Sequence, residues 1–339
     1  MNTIRKIAYS LLTSVFVFAN ANAGELSVTG SAKATYVILS TAGSTASDNA
    51  GKGMGLANEF SLTASGELDN GWTWSFNQDI DGATVQDDAS LVIGLGGLGS
   101  VKWNISDGGL QKNFSSSQSV YGTPVDTGES GTYTDAADTG TMHSVRYTTP
   151  SGLPLDISAS IQYAPYTGTN DNQSSNSGGV VDAGAEDATE YAISMVPIEG
   201  LEIGASYYDP NSTGSAQAAE GGAYYATYSM GAFSLGYGFS ANAAELNSGE
   251  TGQTEDHVNT QMSVAFNVND NLSISYEDVE SEQNNQTASS DVTMDVTSIQ
   301  ASYTMAGMTL SISKDEFDNH DYSSGNEMEE TILAMSIAF

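Results

Sequence analysis

The last nine residues of the sequence alternate between two kinds of side chain. The alternate positions are taken by Thr331, Leu333, Met335, Ile337 and Phe339, and most residues between them are small. Because successive side chains of a strand point to opposite faces, this pattern predicts a β-strand with one bulky apolar face. Free chain ends are usually polar and frayed, so an apolar strand in this position needs a partner. The chain is therefore constrained to a fold that pairs its last strand and covers one face of it.

Similar alternating segments recur along the sequence, and we count about sixteen of them between residues 26 and 339. The connections between them alternate in length. Short turns such as 69–71 and 306–307 alternate with longer polar segments such as 107–142 and 164–187. Short turns on one side and long loops on the other are typical of outer-membrane β-barrels, which place the turns in the periplasm and the loops outside the cell. The predicted fold is an all-β, transmembrane antiparallel β-barrel.

The faces of the predicted strands favour this fold over a soluble β-sandwich, which also has many short strands. Residues 233–239 alternate bulky apolar side chains with Ser and Gly, as expected for a wall between lipid and a water-filled interior. A sheet in lipid must close so that no edge remains unpaired. We therefore expect residues 331–339 to pair with residues 26–38. The side chains expected to face lipid and to act in closure are Leu333, Met335, Ile337 and Phe339.

The first 23 residues have the features of a secretory signal peptide. Arg5 and Lys6 precede an apolar segment from Ile7 to Ala19, and small residues follow at Ala21 and Ala23. This order of basic, apolar and small residues predicts export and cleavage before residue 24. The predicted organisation is a signal peptide at 1–23 and a barrel at 24–339, located in the bacterial outer membrane.

Composition excludes several classes of function. The chain has 42 acidic and 8 basic residues, so nucleic acid is not an expected partner, because phosphate binding needs clustered Lys and Arg. There is no cysteine. Residues 94–99 match a dinucleotide-binding glycine pattern, but a predicted strand follows where that motif needs a helix. The three histidines are far apart in sequence, and no nucleophile stands out beside them. We expect neither an enzyme nor a cofactor.

A few short segments carry a resemblance to a known family. They are residues 25–30 (ELSVTG), 96–102 (GGLGSVK) and 144–147 (SVRY, followed by Pro150 and Gly152), together with Phe339. With the layout of turns and loops, these segments resemble the general porins of Gram-negative outer membranes. The resemblance implies a sixteen-stranded, usually trimeric channel in contact with outer-membrane lipid and lipopolysaccharide. It also implies that the third external loop, here 107–142, folds inward and narrows the pore.

Strand parity identifies charged residues that would line such a pore. If the apolar faces point to lipid, the residues on the lumenal face are Lys33, Glu59, Glu67, Lys102 and Arg146. In the family that the chain resembles, a basic wall faces acidic groups on the inward loop. The charged residues that the loop offers here are Asp107, Asp126, Glu129, Asp135 and Asp138, with Lys112 near its start. The alternative is that these charges are simply solvated by the water in the pore.

The expected function is passive diffusion of ions and small hydrophilic solutes, with a weak preference for cations because carboxylates predominate. A channel specific for one solute, or a non-conducting surface or adhesion barrel, is the alternative. A further acidic segment could bind calcium through hard oxygen ligands, although a hydrated loop is the competing interpretation. Its residues are Asp79, Asp81, Asp87 and Asp88.

Overall fold

The computed structural model describes residues 24–42, 51–81, 88–106, 108–127, 133–140, 142–166 and 187–339. In these residues sixteen antiparallel strands form one closed barrel. Each strand pairs with its neighbours in sequence, and the last strand pairs with the first. The predicted fold class is confirmed. The predicted signal peptide, residues 1–23, lies outside the described residues.

The strands run as follows: β1 Glu25–Ala42, β2 Gly51–Glu67, β3 Thr73–Asp81, β4 Ala89–Gly94, β5 Ser100–Ile105, β6 Ser144–Thr148, β7 Ser158–Ala164, β8 Ala188–Ile198, β9 Leu201–Asp209, β10 Glu220–Met230, β11 Phe233–Ala243, β12 Thr254–Asn267, β13 Leu272–Asn285, β14 Val292–Met305, β15 Met308–Asp318 and β16 Glu327–Ala338. One short helix, α1, spans Pro124–Thr127. Within the described part of the chain, no helix has the length and apolar character needed to cross a membrane.

Several strands are longer than hydrophobic alternation predicts, always at the end that leads into a long loop. In β13 the hydrophobic alternation of the sequence predicts a strand over Leu272–Glu277, whereas the strand continues to Asn285. Beyond Glu277 the outward positions carry exposed acidic side chains, while Val279 and Ser281 are buried on the inner face. Side chains still alternate between the two faces, but here the outward face is charged and the inward face is partly apolar, the reverse of the pattern in the lipid-facing part of the strand. Some of the acidic residues of the chain therefore lie on the outer faces of strands, beyond the apolar part of the wall.

The seam between β1 and β16 closes the wall. Ala34 lies opposite Met335 in the register. Phe339 continues the pairing beyond β16, because its amide donates to Gly30 O over 2.9 Å and its carbonyl accepts from Gly30 N over 2.8 Å. The Phe339 ring packs edge-on against Phe60, with 5.8 Å between ring centres. Leu333, Met335, Ile337 and Phe339 are 44%, 41%, 45% and 63% exposed, so they lie on the outer face.

Turns and loops divide between the two ends of the barrel. At one end the connections are tight, and Gly71 in the first turn adopts the positive φ of +80° that an Asn-Gly turn requires. At the other end they are longer, and the connection from β5 to β6 occupies residues 106–143. The longest connection thus starts at the same end as the other long loops.

Candidate functional site

The connection 106–143 is called the long loop below, and its described residues (106, 108–127, 133–140 and 142–143) lie inside the barrel along its inner wall. Four of its backbone amides donate to inward side chains on β9, β12, β13 and β14. The pairs are Lys112 to Ser206 (3.0 Å), Gln118 to Ser263 (3.0 Å), Val120 to Ser275 (3.0 Å) and Tyr121 to Gln300 (2.8 Å). Inward hydroxyl and amide side chains therefore take the place of a neighbouring strand for this backbone. The long loop is attached to the wall along its path.

A fully buried carboxylate holds the middle of the long loop. Glu277 on β13 accepts hydrogen bonds from the hydroxyls of Ser117 and Ser119, both over 2.5 Å. Its other oxygen accepts from the Gln261 side chain on β12 over 2.5 Å. Burying a carboxylate is costly unless donors surround it, and these three donors offset part of that cost. Glu277 thus fixes two loop residues at one point of the wall.

The long loop approaches β11 closely because that strand presents glycine to it. A Cβ atom at Gly236 would lie 1.7 Å from Ser116 O, and one at Gly238 would lie 2.2 Å from Ser116 Oγ. No side chain fits in the first gap. The serine hydroxyl also bonds to the Gln261 side chain. Gly236 is therefore required for the close packing of loop against wall.

Arg146 holds the start of the long loop. Its guanidinium donates to Gly108 O over 2.7 Å, to Gly109 O over 3.0 Å and to Gln162 Oε1 over 2.5 Å. The side chain points inward, as parity predicts, but its donors are occupied by loop carbonyls and a neighbouring wall residue. Lys102 lies directly opposite Arg146 in the register of β5 and β6. The two basic residues are thus placed together where the long loop leaves the wall.

The end of the long loop returns to the same region. Thr139 donates through its hydroxyl to Glu190 Oε2 over 2.8 Å and accepts from Gln162 Nε2 over 2.5 Å. Asp138 accepts from Gly140 N over 2.8 Å. Burial raises the pKa of Asp138 above its usual value, against the opposing effect of the Gly140 amide, Gln111 and the Arg146 charge. Both ends of the loop therefore meet beside Gln162 and Arg146.

Lys33 on β1 contacts the middle of the long loop. Its ammonium nitrogen is 5.5 Å from the centre of the Tyr121 ring, a cation–π distance. Glu59 shares the lumenal face on the neighbouring strand, where it lies opposite Ser31. Lys33 and Glu59 line a hollow of about 460 Å³. Among the described loop residues, it is thus an aromatic ring that approaches the wall at Lys33.

The remaining predicted residues are distributed as follows. Glu67 lines a hollow of about 590 Å³ at the end of the barrel with tight turns. Lys112 and Arg146 line a smaller hollow of about 270 Å³ beneath the loop start. Asp135 is half-buried, and Tyr133 beside it is buried. Asp107 and Glu129 lie outside the described residues, and Asp126 is described only as a backbone position in α1.

Of the four predicted calcium ligands, the structure describes the side chains of Asp79 and Asp88. Asp79 accepts from the Ser61 hydroxyl and, over 3.1 Å, from Asn77 Nδ2. Asp79 N donates to Asp88 O over 2.9 Å, so this contact is a backbone one. Asp81 ends β3, and Asp87 is not among the described residues. No group of three or more His, Asp or Glu residues suited to a metal ion occurs within the described ranges.

Sequence reasoning missed the wall residues that bind the long loop. Gln261, Glu277 and Gln300 all occupy inward positions of β12 to β14. Their parity was visible in the sequence, where inward amides and hydroxyls indicated only a polar, water-filled lumen. What alternation does not show is that a distant loop lies against them. The signal was the presence of long amide side chains where short hydroxyls would suffice to line water.

Comparisons with known proteins agree with this geometry. The sequence profile described as Gram-negative porin matches residues 8–323. No curated protein matches the sequence. Among solved structures, Salmonella typhi OmpF in complex with daunomycin superposes with a TM-score of 0.67 at 15% identity, covering 94% of this chain and 98% of that one.

Two other solved structures are equally similar in fold. An anion-selective porin from Comamonas acidovorans has a TM-score of 0.66 at 12% identity, with 93% and 100% of the two chains covered. The outer-membrane channel DcaP of Acinetobacter baumannii has a TM-score of 0.67 at 11% identity, with 94% and 98% covered. At these identities the structures support the fold, and the family follows from the profile match. The chain belongs to the Gram-negative porins, a family of outer-membrane channel proteins.

Proposed function

We propose that this porin is a general diffusion channel for ions and small hydrophilic solutes, with a weak preference for cations. The observation that carries the proposal is the long loop, which is bonded along the inner wall and leaves its Tyr121 ring facing Lys33. We propose that a loop held in this way narrows the lumen. Because Tyr121 and Lys33 are in contact, the proposed passage lies beside this contact, where Lys33 and Glu59 line a hollow of about 460 Å³.

The cation preference follows from which charges remain accessible to solutes. The Arg146 guanidinium is bonded to loop carbonyls and Gln162, which fixes it at the start of the long loop, away from Lys33 and Glu59. Glu59 is exposed on the lumenal face, and Glu67 lies on the same face further towards the tight turns. With 42 acidic and 8 basic residues in the whole chain, the surrounding field adds to this excess.

The direct test is a reversal-potential measurement in planar lipid bilayers under a salt gradient. We expect discrete channels and a reversal potential of the sign that cation preference requires. Lys33→Gln should strengthen the preference, because it removes the basic group at the constriction. Lys52→Gln is the matched control, since Lys52 lies opposite outward-facing Ile38 and is exposed on the outer face. Anion preference in the unmodified protein, or equal effects of both variants, would contradict the proposal.

A homotrimer embedded in outer-membrane lipid and lipopolysaccharide is the proposed working form, on the basis of family resemblance. Closure of conductance in three equal steps would support three pores per assembly, whereas single-step closure would contradict it. We also propose that residues 1–23 are removed on export. Mass measurement of protein purified from outer membranes should then give a chain starting at Gly24.

A further inference from the structure

A second loop also turns into the barrel. Residues 319–326, which connect β15 to β16 and are called the inward turn below, place Tyr322 against the long loop. The Tyr322 hydroxyl accepts from Thr134 N over 2.9 Å. It also lies 2.7 Å from Ser281 Oγ on the inner face of β13. One side chain of the inward turn therefore joins the long loop to the wall.

These contacts belong to a closed ring of hydrogen bonds. Ser281 Oγ donates to Asn259 Oδ1 over 2.5 Å, and Asn259 Nδ2 donates to Thr134 O over 3.0 Å. If Tyr322 donates to Ser281, every donor in the ring has one acceptor, and both backbone groups of Thr134 are satisfied. The ring connects β12, β13, the long loop and the inward turn. Such a ring depends on all four members, because losing one hydroxyl removes two bonds.

The backbone of the inward turn is held in an uncommon conformation. Asn319, Asp321 and Tyr322 have φ of +53°, +53° and +52°, a region that is unfavourable for a bulky L residue such as Tyr. Such conformations persist where surrounding contacts determine them, and they cluster at functional positions. Here Asn319 provides some of those contacts: its Nδ2 donates to Thr293 O over 2.8 Å, and its Oδ1 accepts from Gly325 N over 2.9 Å.

An apolar cluster lies beneath the ring, inside the barrel. Its buried members come from the long loop and from the inner faces of β13 to β16: Val125, Tyr133, Val279, Met294, Val296, Phe317 and Met328. Tyr322 packs against this cluster. A water-filled lumen has no need of such side chains on its inner face. Their burial means that this sector of the barrel, near the long-loop end, is filled with protein.

We propose that the inward turn is a second constriction element and that Tyr322 is a positioning residue for the size limit of the pore. The turn and the long loop act as one unit, which fills the lumen over β12 to β16 and leaves the path of solutes on the side of Lys33. The inference rests on the proposed channel function. It adds that the size limit depends on a residue outside the long loop.

The test compares Tyr322→Ala and Tyr322→Phe with Tyr303→Ala as control, because Tyr303 is on the outer face of β14 and 38% exposed. Single-channel conductance and the swelling of liposomes in sugars of graded size are measured. We expect Tyr322→Ala to raise the conductance and admit larger sugars, Tyr322→Phe to give a smaller change, and Tyr303→Ala to change neither. Heat-modifiable mobility in gels confirms that each barrel has folded.

A double-mutant cycle separates a shared ring from independent effects. Tyr322→Phe and Ser281→Ala each break the same bond, so the effect of the double variant should be smaller than the sum of the single effects. Additive effects, or an unchanged sugar limit in folded Tyr322→Ala, would overturn the inference while leaving the channel function intact. Absence of conductance in the unmodified protein would instead contradict the proposed function itself.

Discussion

At the scale of single residues, strand parity determines where a side chain points, and its partners determine what it does. Lys33 and Arg146 are both basic and both inward-facing. Lys33 contacts the Tyr121 ring and lines an open hollow, whereas Arg146 is bonded to two loop carbonyls and to Gln162. The same charge therefore faces the solute in one case and holds the constriction in place in the other.

Gly236→Ala tests whether the long loop needs its close contact with β11. The new methyl group would meet Ser116 O at 1.7 Å, so the loop must move away from the wall. We expect the free energy of unfolding to fall by ~1–3 kcal/mol, as for other overpacked sites, and the single-channel conductance to change. Both are measurable on the refolded barrel.

Gly53→Ala is the control for this substitution. Gly53 lies opposite inward-facing Val37, and a Cβ atom there would meet nothing within 4 Å. The variant should have unmodified conductance. If both glycine variants behave alike, the proposed contact of Ser116 with β11 does not restrain the loop.

At the scale of elements, the strands could be predicted from the sequence, whereas the path of the long loop could not. Hydrophobic alternation locates every strand, because lipid on one side and polar groups on the other impose a period of two. It underestimates the lengths of β13 and β15, because the outward positions near the ends of these strands carry carboxylates. The path of the long loop is not encoded in any local pattern. It depends on contacts with Gln300, Ser275 and Ser263, which are distant in sequence.

Removal of Phe339 should impair assembly more than conductance. The deletion removes two hydrogen bonds to Gly30 and the ring contact with Phe60, all at the seam. It removes nothing from the lumen. We expect a lower yield of folded barrel, measured by heat-modifiable mobility, and normal conductance in the barrels that form. Phe339→Tyr should restore the yield, because it retains backbone and ring; normal folding of the deletion would show that this contact is dispensable.

Asp138→Asn should remove a pH dependence from the attachment of the long loop. Because burial raises the pKa of Asp138 from 3.8 in the folded protein, its proton is held more firmly there than in the unfolded chain. Its contribution to stability is complete below pH ~3.8 and is lost as the pH rises through the raised value. The free energy of unfolding, measured in guanidinium at several pH values, should decrease less with rising pH in Asp138→Asn than in the unmodified protein.

Asp69→Asn provides the control, since Asp69 lies in an exposed turn away from the long loop. It has the same change of side chain and no contact with Arg146 or Gly140 in the described structure. An equal flattening of the pH profile by both variants would show that the slope originates elsewhere in this acidic chain.

At the scale of the whole molecule, the charge excess makes selectivity depend on salt. The Debye length falls from ~10 Å at 0.1 M to ~3 Å at 1 M ionic strength, so distant carboxylates are screened first. At a constant concentration ratio across the bilayer, the reversal potential should decrease as total salt increases. Groups at the constriction, such as Glu59, should retain part of the effect. A reversal potential independent of salt would assign selectivity to the constriction alone.

The attachments of the long loop also dictate an order of assembly. Its partners Ser263, Ser275 and Gln300 lie 145, 155 and 179 residues later in the chain than the loop amides they bind. Contacts of such separation form late, because the intervening chain must first be ordered. The narrow passage is therefore completed only after β14 has joined the wall. A sheet that lacks β14 has no partner for the Tyr121 amide, so the constriction and the wall are completed together.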